Sequence, residues 1–380
     1  MAALLDPFRD RLAAVAARAR LRSLAPRAGH DFASNDYLGF ASDPVIAQAV
    51  CDAVARGVPV GSGGSRLLRG NAPEHEALEA QTAAVFGSEA ALFMANGYVA
   101  NVGLLSALPG VDDLIVADAL IHASAHDGMK LGKARHVLAA HNDPGAFADA
   151  IGAWRRDGGR GRPWIVVETL YSMDGDMAPV DALADIAAQH DAMLILDEAH
   201  ATAVHGHGGR GLGADLEGRE NVIVLHTCGK GLGVEGALVT GARPVIDMLV
   251  NRARSFVFST APSPLVAVAV SAALERMLEA DDKRARLAGL IDFAAQHLCA
   301  PLGLEAPKSQ LLPIVIGDDA RTMRAAAALQ EAGFDVRGIR PPTVPRGTSR
   351  LRISLTLNVD EATIAALGEA LQHAMAGEPA

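Results

Sequence analysis

Ala192–His200 reads AMLILDEAH, five apolar residues followed by Asp197, Glu198, Ala199 and His200. An apolar run without polar alternation is the pattern of a strand covered on both faces, as in a parallel sheet with helices on either side. Five more runs share it: ALFMA (91–95), DLIVAD (113–118), RHVLAA (135–140), WIVVE (164–168) and VIVLH (222–226). Helical patterns alternate with them, and helix starts stand at Asp43 with Pro44 and at Pro73 with Glu74 and Glu76. The alternation predicts an α/β fold with a mostly parallel sheet.

From about Arg243 the pattern changes to long Ala-rich helices, then LLPIVIG (311–317), FDVRGI (334–339) and RLRISL (350–355). That change predicts a smaller α+β domain. The expected organisation is an N-terminal helix and arm over 1–42, a large domain over 43–245 and a small domain over 246–380. Leu5, Phe8, Leu12 and Val15 fall at helical spacing. Asp6 and Asp10 argue against an organelle leader, so the expectation is an amphipathic helix docked on the body. Ser255–Leu274 has no charge, but Pro262 and Pro264 interrupt it, which excludes a spanning helix and predicts a strand, a turn and a buried helix from Pro264.

Half of the 380 residues are hydrophobic and only 4% aromatic, which favours tight helix-on-sheet layers over a sandwich rich in tyrosine and tryptophan. The formal charge is -10 without a long basic run, so the electrostatic footprint of a nucleic-acid binder is missing. An anionic substrate then requires a local basic patch. Cys51, Cys228 and Cys299 are odd in number and far apart, which indicates neither a disulfide framework nor a metal site and fits a cytoplasmic protein.

Ligands of open parallel sheets gather at the carboxyl ends of the strands. The polar residues there are His122, Glu168 to Ser172, Asp197 to His200, and Thr227 to Lys230. Lys230 stands between Gly229 and Gly231, where absent side chains let a bulky ligand approach. Alone it reads as an ordinary loop lysine; a nucleotide phosphate loop is excluded because Leu232 stands where Ser or Thr is required. Asp197 alone reads as a helix cap and His200 as a structural histidine. Together an amine, a carboxylate and an imidazole point to pyridoxal phosphate. Its aldehyde needs a lysine, its ring nitrogen an anion, and its phosphate backbone amides such as those of Gly97 and Tyr98 at a helix start. Arg350 and Arg352 alternate along a strand, so they share one face and one of them can clamp a carboxylate.

SNDYLGF (34–40), GSGGSRLLRGN (61–71), IHAS (121–124), SMDGDMAP (172–179), LDEAH (196–200), TCGKGLG (227–233) and TVPRGTSRLRISL (343–355) together resemble the α-oxoamine synthases, a family of fold-type I pyridoxal-phosphate transferases. The match runs in order from about Arg22 to the C-terminal region. It implies a seven-stranded, mostly parallel sheet in the large domain. By resemblance Lys230 is the lysine that carries the cofactor, Asp197 the partner of its ring nitrogen and His122 the imidazole stacked on the ring. Ser172 and His200 match residues at the cofactor's phenolic oxygen, and Thr227, Gly97 and Tyr98 match positions around the cofactor and its phosphate. Asn35, Arg22, His122, Thr343 and Arg352 match substrate-side positions, with Arg352 on the amino-acid carboxylate. Ser65 and Thr260 match residues that serve the neighbouring subunit's cofactor in a homodimer.

The reaction implied joins L-alanine to a pimeloyl thioester, on coenzyme A or an acyl-carrier protein, with loss of carbon dioxide, as in biotin synthesis. The sibling reaction uses glycine and an acetyl thioester. Two departures stand out. Tyr98 replaces a phenylalanine, and Ala201 and Ala203 occupy positions where small or glycine residues are usual, which predicts a differently shaped turn after His200.

Overall fold

The computed structural model describes residues 4–376. Contacts group them into two compact units: a smaller one from 4–34, 173–175 and 285–376, and a larger one from 35–172 and 176–284.

The chain begins with α1 (Asp6–Ala16) and the two-residue strand β1 (His30–Asp31), both in the smaller unit. Helix α1 forms where the spacing predicts, but it buries none of its residues: Phe8 is 62% exposed and Leu12 57%. The expectation that it docks on the body is therefore overturned. Its turns are held locally, and of its apolar residues Val15, 38% exposed, lines a cavity with Pro341, Pro342, Val344 and Pro345.

The larger unit opens with α2 (Pro44–Ala55) and α3 (Pro73–Phe86). The Asp43 carboxylate accepts from the N–H groups of Val45 at 2.8 Å and Ile46 at 3.4 Å, satisfying donors that the first turn leaves orphaned. Next come β2 (Ala90–Met94), α4 (Gly97–Ala107), β3 (Leu114–Asp118), α5 (Ala123–Leu131) and β4 (Arg135–Ala139). They are followed by α6 (Pro144–Arg156), β5 (Pro163–Glu168), α7 (Val180–Gln189), β6 (Met193–Asp197), β7 (Val222–Thr227) and β8 (Ala237–Gly241). These seven strands form one sheet in the order β2-β8-β7-β6-β5-β3-β4. Only β8 runs antiparallel to its neighbours.

Alternate residues of each inner strand enter opposite cores, which is why the sequence shows no polar alternation. Ile195, Val166, Ile115 and Leu225 pack with Leu104 and Leu105 on one face. Leu194, Leu196, Val167, Val116 and Val224 pack with Phe147, Ile151 and Leu183 on the other. Each such side chain contributes about 1.5–3 kcal/mol when fully buried, which makes the strand ends a stiff platform.

Three helices follow β8: α8 (Arg243–Arg252), α9 (Arg254–Val257) and α10 (Pro264–Leu278). The strand expected near Ser255 is instead the single turn α9. Helical spacing buries Phe256 and lays the Arg254 guanidinium 4.9 Å from the Phe258 ring, two residues that a strand would hold about 13 Å apart. Helix α10 starts at Pro264 as expected, with the Ser263 hydroxyl as its cap. It packs on α2 and α3 through Ala267, Val270, Ala273, Leu274 and Met277. For that reason the contact-defined division falls at 284, where the sequence pattern placed it at 245, and the larger unit starts at 35 where 43 was expected.

Helix α11 (Asp281–Ala294) carries the chain across that division. The smaller unit then adds β9 (Leu311–Gly317), α12 (Asp319–Glu331), β10 (Phe334–Asp335), β11 (Arg337–Ile339), β12 (Ser349–Ser354) and α13 (Glu361–Ala376). Its sheet is antiparallel in the order β11-β12-β9, and β1 pairs in parallel with β10. No described helix is long and apolar enough to cross a membrane. The three cysteines are free; Cys51 is exposed, whereas Cys228 and Cys299 are buried.

Candidate active site

Register brings the chemistry together. Glu168 and Asp197 are paired residues at the ends of β5 and β6, and Thr227 closes β7. Asp197 is 5% exposed, and two donors hold its carboxylate: Asn101 Nδ2 donates to Oδ2 at 2.7 Å, and the Ala199 N–H donates to Oδ1 at 3.0 Å. Asn101 also donates to Ser124 Oγ at 3.0 Å, and Ser124 Oγ lies 2.7 Å from His122 Nδ1. One hydrogen-bond network, buried at Asp197, Asn101 and Ser124, thus fixes both the carboxylate and the imidazole.

His122 caps α5, its Nδ1 accepting from the Ser124 N–H at 3.2 Å, which leaves the ring proton on Nε2. Burial lowers its pKa; the Asp197 charge opposes the shift and the Lys230 charge reinforces it. His122 is therefore neutral near pH 7. Glu168 is buried, its Oε2 accepting from the Ser172 N–H at 3.2 Å while Oε1 has no partner. Burial and the neighbouring Asp197 push its pKa up to about 8, against the pull of Lys230.

Gly97 begins α4 behind the Asn96 cap, whose side chain accepts from the Val99 N–H at 2.9 Å. A Cβ at Gly97 would stand 2.4 Å from Thr227 Cγ2, so only glycine lets this helix start approach β7. Thr227 is pinned by donating to the Ala199 carbonyl at 3.2 Å. Tyr98 is half-exposed and donates its hydroxyl to Asp127.

His200 Nδ1 lies 2.6 Å from the Tyr37 hydroxyl, which is 3.2 Å from Asn35 Oδ1, so the SNDYLGF motif meets LDEAH through Tyr37. In the turn after His200, Ala203 adopts φ 74°, a left-handed conformation rare without glycine. Gly231 packs on this turn; a Cβ there would meet the Thr202 carbonyl oxygen at 2.4 Å. The turn carrying Ser172 is anchored by His141, whose ring nitrogens lie 2.9 Å from Asp118 Oδ1 and 2.9 Å from Asp176 Oδ2. Burial lowers the pKa of His141, but hydrogen bonds to both aspartates outweigh it and hold the imidazole above its usual range.

Ser65 and Thr260 lie on adjoining segments, joined where the Ala261 N–H donates to the Gly64 carbonyl at 2.9 Å. Arg22, Thr343 and Arg352 belong to the smaller unit, where Arg22 Nη2 lies 3.4 Å from Thr343 Oγ1 and Arg352 Nη1 donates to Ser354 Oγ at 3.3 Å. Arg350 is committed to Asp174 at 2.5 Å and to the Met173 carbonyl at 3.0 Å. Sequence reasoning missed Asn101, Ser124 and Tyr37 and gave Glu168 no role. Asn101 carried a usable signal: four residues after Gly97, it occupies the same helix face.

The donor set suits pyridoxal phosphate. The Asp197 carboxylate is buried and available to an aromatic ring nitrogen, the helix start at Gly97 admits only glycine and could offer amides to a phosphate, and Glu168 Oε1 lacks a partner among the described residues. Fold and site define a fold-type I pyridoxal-phosphate enzyme, and the chain belongs to the family described as Aminotransferase class I and II, which matches residues 29–371.

Within that class the similarity is to one activity in particular. The chain is 43% identical to the 8-amino-7-oxononanoate synthase of Anaeromyxobacter dehalogenans, covering 95% of this chain and 93% of that one. Among solved structures, the 8-amino-7-oxononanoate synthase of Francisella tularensis superposes with a TM-score of 0.77 at 27% identity, over 92% of this chain and 98% of its own. The Sphingomonas wittichii serine palmitoyltransferase superposes with a TM-score of 0.87 at 28% identity, over 99% of this chain and 100% of its own.

Proposed function

We propose that this protein joins L-alanine to a pimeloyl thioester, releasing carbon dioxide, free thiol and 8-amino-7-oxononanoate in biotin synthesis. The observation that carries the reading is the Asp197, His122 and Lys230 constellation at the strand ends, in a chain 43% identical to a synthase of that name. Pyridoxal phosphate, when bound, supplies an electron sink for a carbanion at the amino-acid α-carbon.

The chain's own residues do the rest. Asp197 holds a proton on the ring nitrogen by its charge, and Asn101 and the Ala199 N–H keep its carboxylate oriented for that task. Lys230 would anchor the cofactor, and its amine would take the amino-acid α-proton. The α-carbon then bonds to the thioester carbonyl carbon as the C–S bond breaks, the carboxylate leaves as carbon dioxide, and a proton returns to the α-carbon. His122, its pKa lowered, would pack against the ring without competing with the ring nitrogen for Asp197. Arg352 clamps the alanine carboxylate. Ser172 and His200 serve the phenolic oxygen, Thr227, Gly97 and Tyr98 the cofactor and its phosphate, and Asn35, Arg22 and Thr343 the acyl substrate. Ser65 and Thr260 serve the neighbouring subunit of a homodimer in the cytoplasm.

Lys230→Ala tests the anchor: purified with pyridoxal phosphate, it should lose the visible absorption of lysine-bound cofactor, and an unchanged spectrum refutes the assignment. Thiol release with pimeloyl thioester should require alanine. Faster release with glycine or serine would favour a sibling synthase, a reading supported by the serine palmitoyltransferase similarity. Mixing inactive Lys230→Ala and Thr260→Ala proteins should restore activity through hybrid dimers; no recovery refutes the shared site.

A further inference from the structure

The strand that ends at Thr227 carries a second polar residue, which the reaction above does not use. Along β7, Ile223, Leu225 and then Thr227 face α4, whereas Val222, Val224 and then His226 face the opposite core. His226 is fully buried, and so is its partner: Nε2 lies 3.1 Å from Glu217 Oε1, the two side chains being 0% and 1% exposed. Phe86 lies flat on the imidazole, with ring centroids 3.7 Å apart. The other ring nitrogen, Nδ1, lies 2.9 Å from Thr202 Oγ1.

One hydroxyl proton decides the donors. Thr202 gives its proton to the Glu198 carbonyl at 2.8 Å, so Nδ1 must donate to Thr202. Glu217 Oε2 accepts from Thr240 Oγ1 at 2.9 Å and from Ser88 Oγ at 3.3 Å. A further proton lies between Nε2 and Glu217 Oε1, because two lone pairs facing each other there would repel. Burial raises the pKa of Glu198, and the charge of His226 opposes the rise, so the pair is felt at the residue beside Asp197.

A buried pair of this kind rarely stabilises a fold more than apolar side chains of the same volume would. What it adds is a fixed position for one hydroxyl. Thr202 stands two residues after His200, and its carbonyl oxygen is the atom that a Cβ on Gly231, next to Lys230, would meet at 2.4 Å. The placement of Thr202 therefore governs both how His200 is presented and how closely the Lys230 loop packs.

We propose that His226, held by Glu217, is a positioning residue: through Thr202 it fixes the His200 turn against the Lys230 loop, and so sets the geometry in which the lysine holds the cofactor. The inference rests on the roles of Lys230 and His200 given above and is independent of which amino acid and which thioester react.

The test uses two variants that cut the chain at different links. His226→Leu/Glu217→Leu replaces the pair by apolar side chains and leaves no buried charge behind, and Thr202→Val keeps the shape of threonine without its hydroxyl. Titrated with pyridoxal phosphate, each apoprotein should bind about 10-fold more weakly than the wild type, and the pH midpoint of the visible absorption of lysine-bound cofactor should move by about half a unit or more. The kcat should fall about 10-fold with KM for the thioester in place. Combining all three replacements should add little to either variant, since both break one path. Thr202→Ser, which keeps the hydroxyl, should behave as the wild type. Wild-type affinity and midpoint in either variant, whatever its stability in urea, overturn the inference and leave the pair as core filling. If the double leucine protein does not fold, Thr202→Val decides alone. Absence of lysine-bound absorption in the wild type overturns the inference together with the Lys230 assignment. The expected shifts in a protein that does not condense alanine with a thioester support it and overturn only the proposed reaction.

Discussion

Gly97→Ala should cost more than its single methyl implies. Alanine is the better helix former by up to about 1 kcal/mol, so on propensity alone the change stabilises α4. The added Cβ, however, stands 2.4 Å from Thr227 Cγ2, more than about 1 Å inside the usual carbon–carbon separation. Thr227 is 7% exposed and anchored to the Ala199 carbonyl, so rotating its methyl away breaks that bond. Overpacking of this kind costs about 1–3 kcal/mol, leaving a net destabilisation of about 1–2 kcal/mol and a phosphate cradle pushed off β7. Thr227→Ser keeps the hydroxyl and removes the offending methyl at about 1 kcal/mol. The double variant should therefore be more stable than Gly97→Ala alone, with a favourable coupling of about 1–2 kcal/mol in urea midpoints, and should regain cofactor affinity in a titration. Simple additivity of the two changes would refute the contact as the reason for glycine.

Asn101→Ala removes a donor from a buried carboxylate and should destabilise by about 1.5–3 kcal/mol by urea denaturation; a loss below about 0.5 kcal/mol would show that Asp197 is not desolvated as described. Glu168→Gln should alter the pH dependence of stability. The folded pKa of about 8 lies above the ordinary value of 4.5, so the native state favours the neutral acid, a contribution intact below about pH 4.5 and lost as pH rises through about 8. Glutamine stays neutral throughout, so the variant's advantage should widen from pH 5 to pH 9 in thermal melts; a constant gap would refute the raised pKa. Ala203→Gly should relieve a left-handed alanine worth about 1–2 kcal/mol at an entropic cost of about 0.5–1 kcal/mol, for a net gain of about 0.5–1 kcal/mol in Tm-derived stability. A decrease would mean that Ala203 is not strained.

The chemistry was legible in the sequence because the sheet is covered on both faces. An uninterrupted run such as MLIL ends where its first polar residue, Asp197, stands, whereas VIVL ends first at buried His226 and only then at Thr227. Caps were equally local: Asp43 and Ser263 announce α2 and α10 within one turn. What escaped depended on distant partners. Strand β8 is five residues of ALVTG, too short and glycine-flanked to stand out, and it is fixed by pairing with β2 and β7. Nothing near Arg254 tells a helical turn from a strand until Phe256 has a core to enter. Glu168 reads as the polar stop of a strand; only its register with Asp197 and a buried oxygen without a partner make it part of the site.

The pairing of β1 with β10 joins His30 to Phe334 and Asp31 to Asp335. On a ribosome, the first strand must therefore wait for some 300 further residues before its partner exists, about 15–60 s at ordinary elongation rates of roughly 5–20 residues per second. The seven strands of the larger sheet are all complete by Gly241, so that sheet can form while the ends of the smaller unit are still apart. Leu5, Phe8 and Leu12 are exposed during that interval and stay exposed in the finished fold. Moving residues 1–34 to the C-terminal end by circular permutation would remove the wait, and a gain in soluble yield without a change in equilibrium stability would be its signature.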